Sequence, residues 1–383
     1  MIKSRPEHDV LFCIARREPD RDLRKLLKQS LDWDYLLATA SNHGLIPLLH
    51  KHLHSIDTDL IPINIRSRLK HQSVSNSQTV LHLFAKQLKL CRALTDRGIR
   101  AAILKGSLLA HLAYGEIALR QAGDIDVLIA PADFDRARQL LESLGYQMMP
   151  PLTRAQLGSH LKAHCEIQFV RDDWFTVVDL HWALAPKSFV FKLETEDLLT
   201  RLQRVSVAGV EFETLAIEDL ILYQAMHGAK HLWRRLEWIS SLGETIRAAD
   251  STDWDAVISR AADARATRML SLGLQLAQRV SNIDVPVRLD KNGLADEVLS
   301  RIFTVSGAAD STETNLYNLK IMDRKRDALI SALRALFVPT LTDWSSLNLP
   351  PSLHSLYYAY RPLRLSKIYS ALLWQKLSSR GTE

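Results

Sequence analysis

Residues 102–130 read AILKGSLLAHLAYGEIALRQAGDIDVLIA. A short apolar run ends at Lys105 and leads into Gly106 and Ser107. A helical stretch follows, then Gly123-Asp124-Ile125-Asp126-Val127-Leu128-Ile129. The last segment has the apolar, β-branched content of a strand, yet it carries two aspartates. Burying a carboxylate costs on the order of a few kcal/mol unless something partners it. Either the two sit at a solvent-exposed strand end, or they hold a cation. Strand side chains alternate, so Asp124 and Asp126 share one face while Ile125 and Val127 point to the other, into a core. Like charges that close repel, and one would stay protonated unless a cation lay beside them. Mg²⁺ suits the pair, because it takes one or two protein carboxylates together with substrate phosphates.

A third acid lies further on, in TVVDLHW. Asp179 sits between Val178 and Leu180 on a second strand-like run. If that strand runs beside the first, three carboxylates converge, which suits a site for two ions. One ion polarises a phosphate and its leaving oxygen; the other activates an attacking hydroxyl. His181 shares the face of Asp179 and either orients a ligand or is an ordinary core or surface histidine. Lys105, Gly106 and Ser107 fall at a strand-to-helix turn. Glycine lets the backbone approach a ligand closely there. The start of the following helix favours an anion such as a triphosphate, with Ser107 as its N-cap. A Gly-Ser turn alone is common. The order strand, Gly-Ser, helix, Asp-x-Asp strand, distant Asp is far more specific.

Around this centre the chain reads as helical. From about residue 8 to 97, apolar residues recur at helical spacing, with Gly44 and Pro47 as punctuation. Pro62 opens a helix that Gly98 closes. Ile99 to Gly106 is a short strand-like run. Pro131 opens another helix, which Gly145 caps. AHCEIQFV and WFTVVDLHWAL then read as an antiparallel hairpin joined by RDD. After about residue 190 the helical reading returns. The segment VPTLTDWSSLNLPPSLHSLYYAYRPLRL reads as loop, and an amphipathic helix from about 365 to 377 closes the chain. The expected organisation is an N-terminal helical region (1–97), an α+β core with a small mixed sheet (98–190) and a C-terminal helical region (191–383).

The 383 residues exceed what one small core needs, and 47% hydrophobic with 24% charged residues is an ordinary globular balance. The net charge of +6 admits nucleotides or nucleic acid as partners without indicating the latter. Cys13, Cys91 and Cys165 fall at unrelated spacings, so neither a disulfide framework nor a zinc pattern follows. The N-terminus lacks the apolar run of a signal peptide, and no segment approaches the ~20 apolar residues of a membrane span. A reduced cytoplasmic protein is expected. The oligomeric state is not legible.

The pattern resembles the polymerase-β-like nucleotidyltransferase superfamily, and within it a bacterial family of uncharacterised nucleotidyltransferases. NHGLIPLL, ILKG, ALRQAGDIDVLI, VDLHW, HGAKHLWRRLEW and YRPLRL all read like that family's segments, so the resemblance covers most of the chain. It implies a nucleotidyltransferase core, an NTP, and Mg²⁺, two ions, with Mn²⁺ as a substitute. It carries metal-ligand roles to Asp124, Asp126 and Asp179 and phosphate binding to Gly106 and Ser107. Lys105 and Arg120 join as triphosphate contacts by charge and position. After RLEW such proteins commonly place an aspartate where this chain has ISSLGE, which puts an acidic role of that helix in doubt.

Competing readings stand beside these. Arg120 can pair with Glu116, its i,i+4 neighbour. His227 and His231, with Lys230, form a helical cluster suited to phosphate or acceptor contact, or simply to a solvated cationic face. A zinc reading of the histidines lacks the Glu beside the first His. Arg361, Arg364, Lys367 and Lys376 lie on a C-terminal helix that docks with solvated cations or touches RNA or a membrane surface. The expected activity is metal-dependent transfer of an NMP from an NTP to a hydroxyl-bearing small molecule, releasing pyrophosphate. The alternatives are transfer to RNA or a protein, or a non-catalytic nucleotide-binding or toxin–antitoxin partner. No aromatic-basic RNA module accompanies the first, and a dead site has no reason to retain three repelling acids.

Overall fold

A computed structural model describes residues 5–16, 20–56, 58–171, 176–249, 251–287, 289, 293–304, 317–347 and 349–380. Four short helices, from Pro6–Ala15 to Ile46–His54, precede one long helix, Ile63–Asp96. Pro62 stands just before that helix, where a missing N–H costs nothing. Gly98, at φ +63, ends it, and the Ile99 N–H turns back to the Leu94 carbonyl.

Seven strands form one mixed sheet: β1 (Ala101–Ile103), β2 (Ile125–Ile129), β3 (Gln147–Met149), β4 (Glu166–Val170), β5 (Val177–His181), β6 (Gln203–Val207) and β7 (Val210–Thr214). Their spatial order is β3-β4-β5-β2-β1-β7-β6. β4 and β5 are antiparallel, as expected for a hairpin; residues 172–175 of its connection, including part of the RDD turn, lie outside the described residues. The decisive pairing is β2 with β5, which run parallel with Asp126 opposite Asp179. The sheet also continues past residue 190. β6 and β7 form an antiparallel hairpin where a return to helix was expected, and β7 joins β1 with Ile103 opposite Thr214. The sequence there, QRVSVAGVEFET, alternates at period two, and Ala208-Gly209, both at positive φ, make its tight turn.

Alternation along β2 sorts its residues between two cores. Ile125, Val127 and Ile129 are buried in a core with Leu83, Leu90 and Leu94 of the long helix and Phe134, Leu140 and Leu141 of the helix after β2. Leu128, on the opposite face, enters a larger core of N- and C-terminal helices. Asp126 shares that second face. The C-terminal helices Ile217–Lys230 and Leu236–Ala248 cover that side, the latter against the helix Gly106–Tyr114.

Two further expectations change. The segment read as loop near 338–365 holds a helix, Leu341–Ser346, capped by reciprocal bonds between Thr340 and Asp343, and a longer helix already starts at Tyr357. Arg361 and Arg364 are not solvated cations. They grip the fully buried Asp343 at 2.7 and 2.6 Å, which removes both from any RNA or membrane surface. The Lys376 side chain lies outside the described residues. Among the described residues no helix is long and apolar enough to cross a membrane, and all three cysteines are free thiols.

Candidate active site

The open end of the sheet, where β1 finishes and β2 begins, leads into a cleft of about 550 Å³. β1 delivers Lys105 and Gly106 to its wall. Gly106 takes φ +66, a conformation that side chains with a Cβ resist, and begins the helix Gly106–Tyr114. Ser107 is not the N-cap. Lys105 holds that position, and the Ser107 hydroxyl instead donates to Gln87 Oε1 at 3.2 Å, pinning the turn to the long helix. Ser107 is therefore buried behind the cleft wall, and Lys105 and Gly106 line the cleft.

Asp124 stands one residue before β2 and lines the cleft; Asp126 lies within the strand and is 2% exposed. Asp179 reaches the same cleft from β5. Two cations converge on Asp126. Lys105 Nζ donates to its Oδ1 at 2.8 Å, and His181 Nε2 lies 3.0 Å from the same oxygen. The second oxygen, Oδ2, is buried without a hydrogen-bond partner, and so is Asp179 Oδ1. Two orphaned, inward carboxylate oxygens are the donor set a hard cation takes. Side-chain oxygen and nitrogen atoms of Asp126, Asp179 and His181 all lie within 4.8 Å of one another.

The electrostatics follow the geometry. Burial pushes the Asp179 carboxyl up, helped by the charges of Asp126 and Asp124, to about 6. Burial and Asp126 also raise Asp124. For Asp126 burial works upward too, but Lys105 and His181 outweigh it and hold the carboxyl below the usual range. His181 shows the converse: burial would lower it, yet its bond to Asp126, the Cys165 side chain and the Glu166 and Asp126 charges raise it to about 10. The resulting imidazolium sits between Asp126 and Glu166, whose Oε2 is 3.1 Å from Nδ1, close enough for attraction without the alignment of a hydrogen bond.

Glu166 is a residue that the sequence reading passed over. It lies on β4 opposite His181 and lines the cleft. Period two in EIQFV puts Glu166 and Gln168 on one face, but only the β4–β5 register shows that this face is the site. Tyr223 was also missed. Its hydroxyl lies against the Lys105 ammonium, and it sits one turn before His227 on the same helix, a stripe visible in LYQAMHGAK.

Arg120 lines the cleft but does not pair with Glu116, which bonds Lys51 at 2.5 Å instead. Its Nε faces Glu237 Oε1 at 3.2 Å. Glu237, in RLEW itself, is thus the acid this helix brings to the cleft; in the ISSLGE that follows, Ser240 and Ser241 each lie 3.3 Å from the Tyr114 hydroxyl and Glu244 pairs with Arg247. His227, Lys230 and His231 close the far wall with Trp238, the two imidazoles 4.6 Å apart. Burial, with Lys105 and Lys230 nearby, keeps both imidazoles neutral, His231 at about 3.

A strand, a glycine turn and a helix facing three carboxylates on two neighbouring parallel strands make up the working core of an enzyme that transfers a nucleotidyl group. The chain belongs to the family of uncharacterised nucleotidyltransferases, whose model matches residues 29–282, well over half its length. Two solved structures are similar to it at low identity. The antibiotic-resistance factor ANT(2'')-Ia is 16% identical, with 49% of this chain and 91% of that one covered and a TM-score of 0.31. An antigenic nucleotidyltransferase-like protein from Paracoccidioides brasiliensis is 13% identical, with 54% and 98% covered and a TM-score of 0.27. No curated protein sequence is significantly similar.

Proposed function

We propose that the protein transfers an NMP from an NTP to a hydroxyl group of a small-molecule acceptor, with Mg²⁺ held by Asp124, Asp126 and Asp179. The observation that carries this reading is the parallel pairing that sets Asp126 opposite Asp179, each with a buried carboxylate oxygen left without a partner. Bound there, the ions neutralise phosphate charge and make the acceptor hydroxyl a better nucleophile.

The strand order supports one direction for the reaction. The phosphate turn follows β1, two acids come from β2, the third from β5, and Glu166 from β4 beyond it. In-line displacement puts nucleophile and leaving group on opposite sides of the phosphorus. Lys105, Gly106 and Arg120 hold the triphosphate on the β1 side, and the acceptor enters on the β5 and β4 side. The acceptor oxygen bonds to the α-phosphorus as the bond to the bridging oxygen of the β-phosphate breaks. Its proton passes to a base on the acceptor side, Asp179, and pyrophosphate leaves past Lys105. His181, His227, Lys230 and His231 line or back the acceptor path.

The test is incubation of the full chain with each α-labelled NTP and Mg²⁺, alongside small-metabolite, RNA and protein fractions of a lysate. Label in the metabolite fraction, with stoichiometric pyrophosphate, is expected. Label in RNA or protein replaces the acceptor; no label with any fraction and no pyrophosphate overturns transfer.

A further inference from the structure

Glu237 is a deeply buried acid of the cleft wall, 1% exposed, and it joins three segments distant in sequence. Its Oε1 is 3.2 Å from Arg120 Nε, its Oε2 is 3.9 Å from Arg235, and it accepts a bond from the Gln121 N–H. Its own N–H donates to the His43 carbonyl at 3.2 Å, while the Leu236 N–H donates to His43 Nδ1 at 3.2 Å. Gly44 follows directly. It takes φ +74, and a Cβ built on it would lie 2.6 Å from Glu237 Cδ. No other residue leaves room for that carboxylate.

We propose that Glu237 is the positioning residue of the nucleotide site: it orients the Arg120 guanidinium and holds the loop from Arg120 to Asp124, with Gly44 as the cavity that receives it. This rests on the cleft being the NTP site. A charge is an expensive way to fill a buried space, since a well-packed apolar side chain stabilises as well or better. What the carboxylate adds is direction. Its charge holds the Nε side of the Arg120 guanidinium at 3.2 Å, an ion-pair approach without the alignment of a hydrogen bond, so the guanidinium is kept at the cleft wall by attraction and close packing. It also anchors Gln121, three residues before Asp124 and five before Asp126. The segments NHG, ALRQAGD and RRLEW thus have one shared purpose in the fold.

The experiment measures binding of Mg²⁺-NTP to the full chain by calorimetry, with Tm recorded in parallel. Wild type is expected to bind at least one NTP. Glu237→Gln keeps the volume and loses the charge. Its affinity should fall roughly tenfold or more, as when a charged partner is removed, beyond any drop in ligand-free Tm from leaving the Arg120 guanidinium buried without its acid. Arg120→Gln should lose as much, and the double variant no more than either, because the two act through one contact. Gly44→Ala should weaken NTP binding in the Glu237 background and less beside Glu237→Ala, which removes the clash and leaves only the strain of a Cβ at positive φ. Unchanged affinity in Glu237→Gln, or additive losses in both cycles, overturns the positioning role and leaves the nucleotide site standing. A wild-type chain that binds no NTP overturns the nucleotide site itself, and this role with it.

Discussion

Lys105 Nζ lies 2.8 Å from Asp126 Oδ1, so an ammonium occupies one carboxylate oxygen of the site while the other oxygen stays unpartnered. Burial works to lower Lys105, but Tyr223, Asp126 and Asp124 around it keep it charged. The lysine is a fixed cation that neutralises part of the acidic cluster and faces the turn where phosphates are expected. Replacing it by Met leaves Asp126 with His181 alone. We expect a loss of about 1–3 kcal/mol, below the full cost of breaking a buried pair because one partner remains. The loss should shrink when Mg²⁺ is added. Urea unfolding with and without Mg²⁺ measures both.

Asp126 and Asp179 should respond oppositely to loss of charge. Asp126 anchors two cations, so Asp126→Asn destabilises the metal-free chain. Asp179 is held up to about 6 by burial and by the charges of Asp126 and Asp124, so Asp179→Asn removes a strain and should keep or raise Tm in EDTA. Both variants should lose nucleotidyl transfer by at least about 10²-fold, the scale of removing one preorganised charge-stabilising group. Melting curves in EDTA beside pyrophosphate release decide it; transfer at wild-type rate in both would sink the catalytic assignment.

Acid should destabilise the protein through histidines buried in neutral form. Burial, with Arg235 and His8 nearby, lowers His43 to about 4, and burial lowers His160 to about 4 against the pull of the Glu166 carbonyl. A base with a depressed folded pKa takes up its proton more readily when unfolded. Its contribution is complete above the unfolded value of 6.5 and is lost as pH falls from there toward 4. Tm should therefore drop steeply between pH 6.5 and 4. His43→Asn, which can still accept the Leu236 N–H, should flatten that slope by about 1–2 kcal/mol over the interval. An unchanged slope in the variant would assign the acid sensitivity elsewhere.

Two glycines should separate a packing requirement from a helix preference. A Cβ on Gly228 would meet the ring of Trp233 at 2.5 Å, and Trp233 is fully buried. Gly228→Ala should cost about 1–3 kcal/mol, as overpacking does. Gly158, in the helix Arg154–Ala163, has nothing within 4 Å of its position. Gly158→Ala should gain roughly 0.5–1 kcal/mol from helix propensity alone. Chemical denaturation of the pair is the check.

The amino-acid sequence by itself determined the local vocabulary. Pro62 and Gly98 bound the long helix, because one lacks an N–H and the other adopts positive φ at no steric cost. Gly106 marked the turn after β1 for the same reason, and period two put Asp124 and Asp126 on one face. These are properties of a residue and its immediate neighbours, so they are legible in one dimension. The tertiary structure alone decided what depends on which strands become partners. That Asp179 stands opposite Asp126 follows from a parallel pairing between strands some fifty residues apart, and nothing in VVDLH names its neighbour. The same holds for Glu166, whose face is the site only because β4 lies on β5, and for the β6–β7 hairpin, whose alternation was masked by the helices on both sides. Glu237 is the clearest case. RLEW names no partner for it, and only folding brings Arg120, Gln121 and Gly44 around it. A buried charge is held by partners distant in sequence, and that distance is what a linear reading cannot measure.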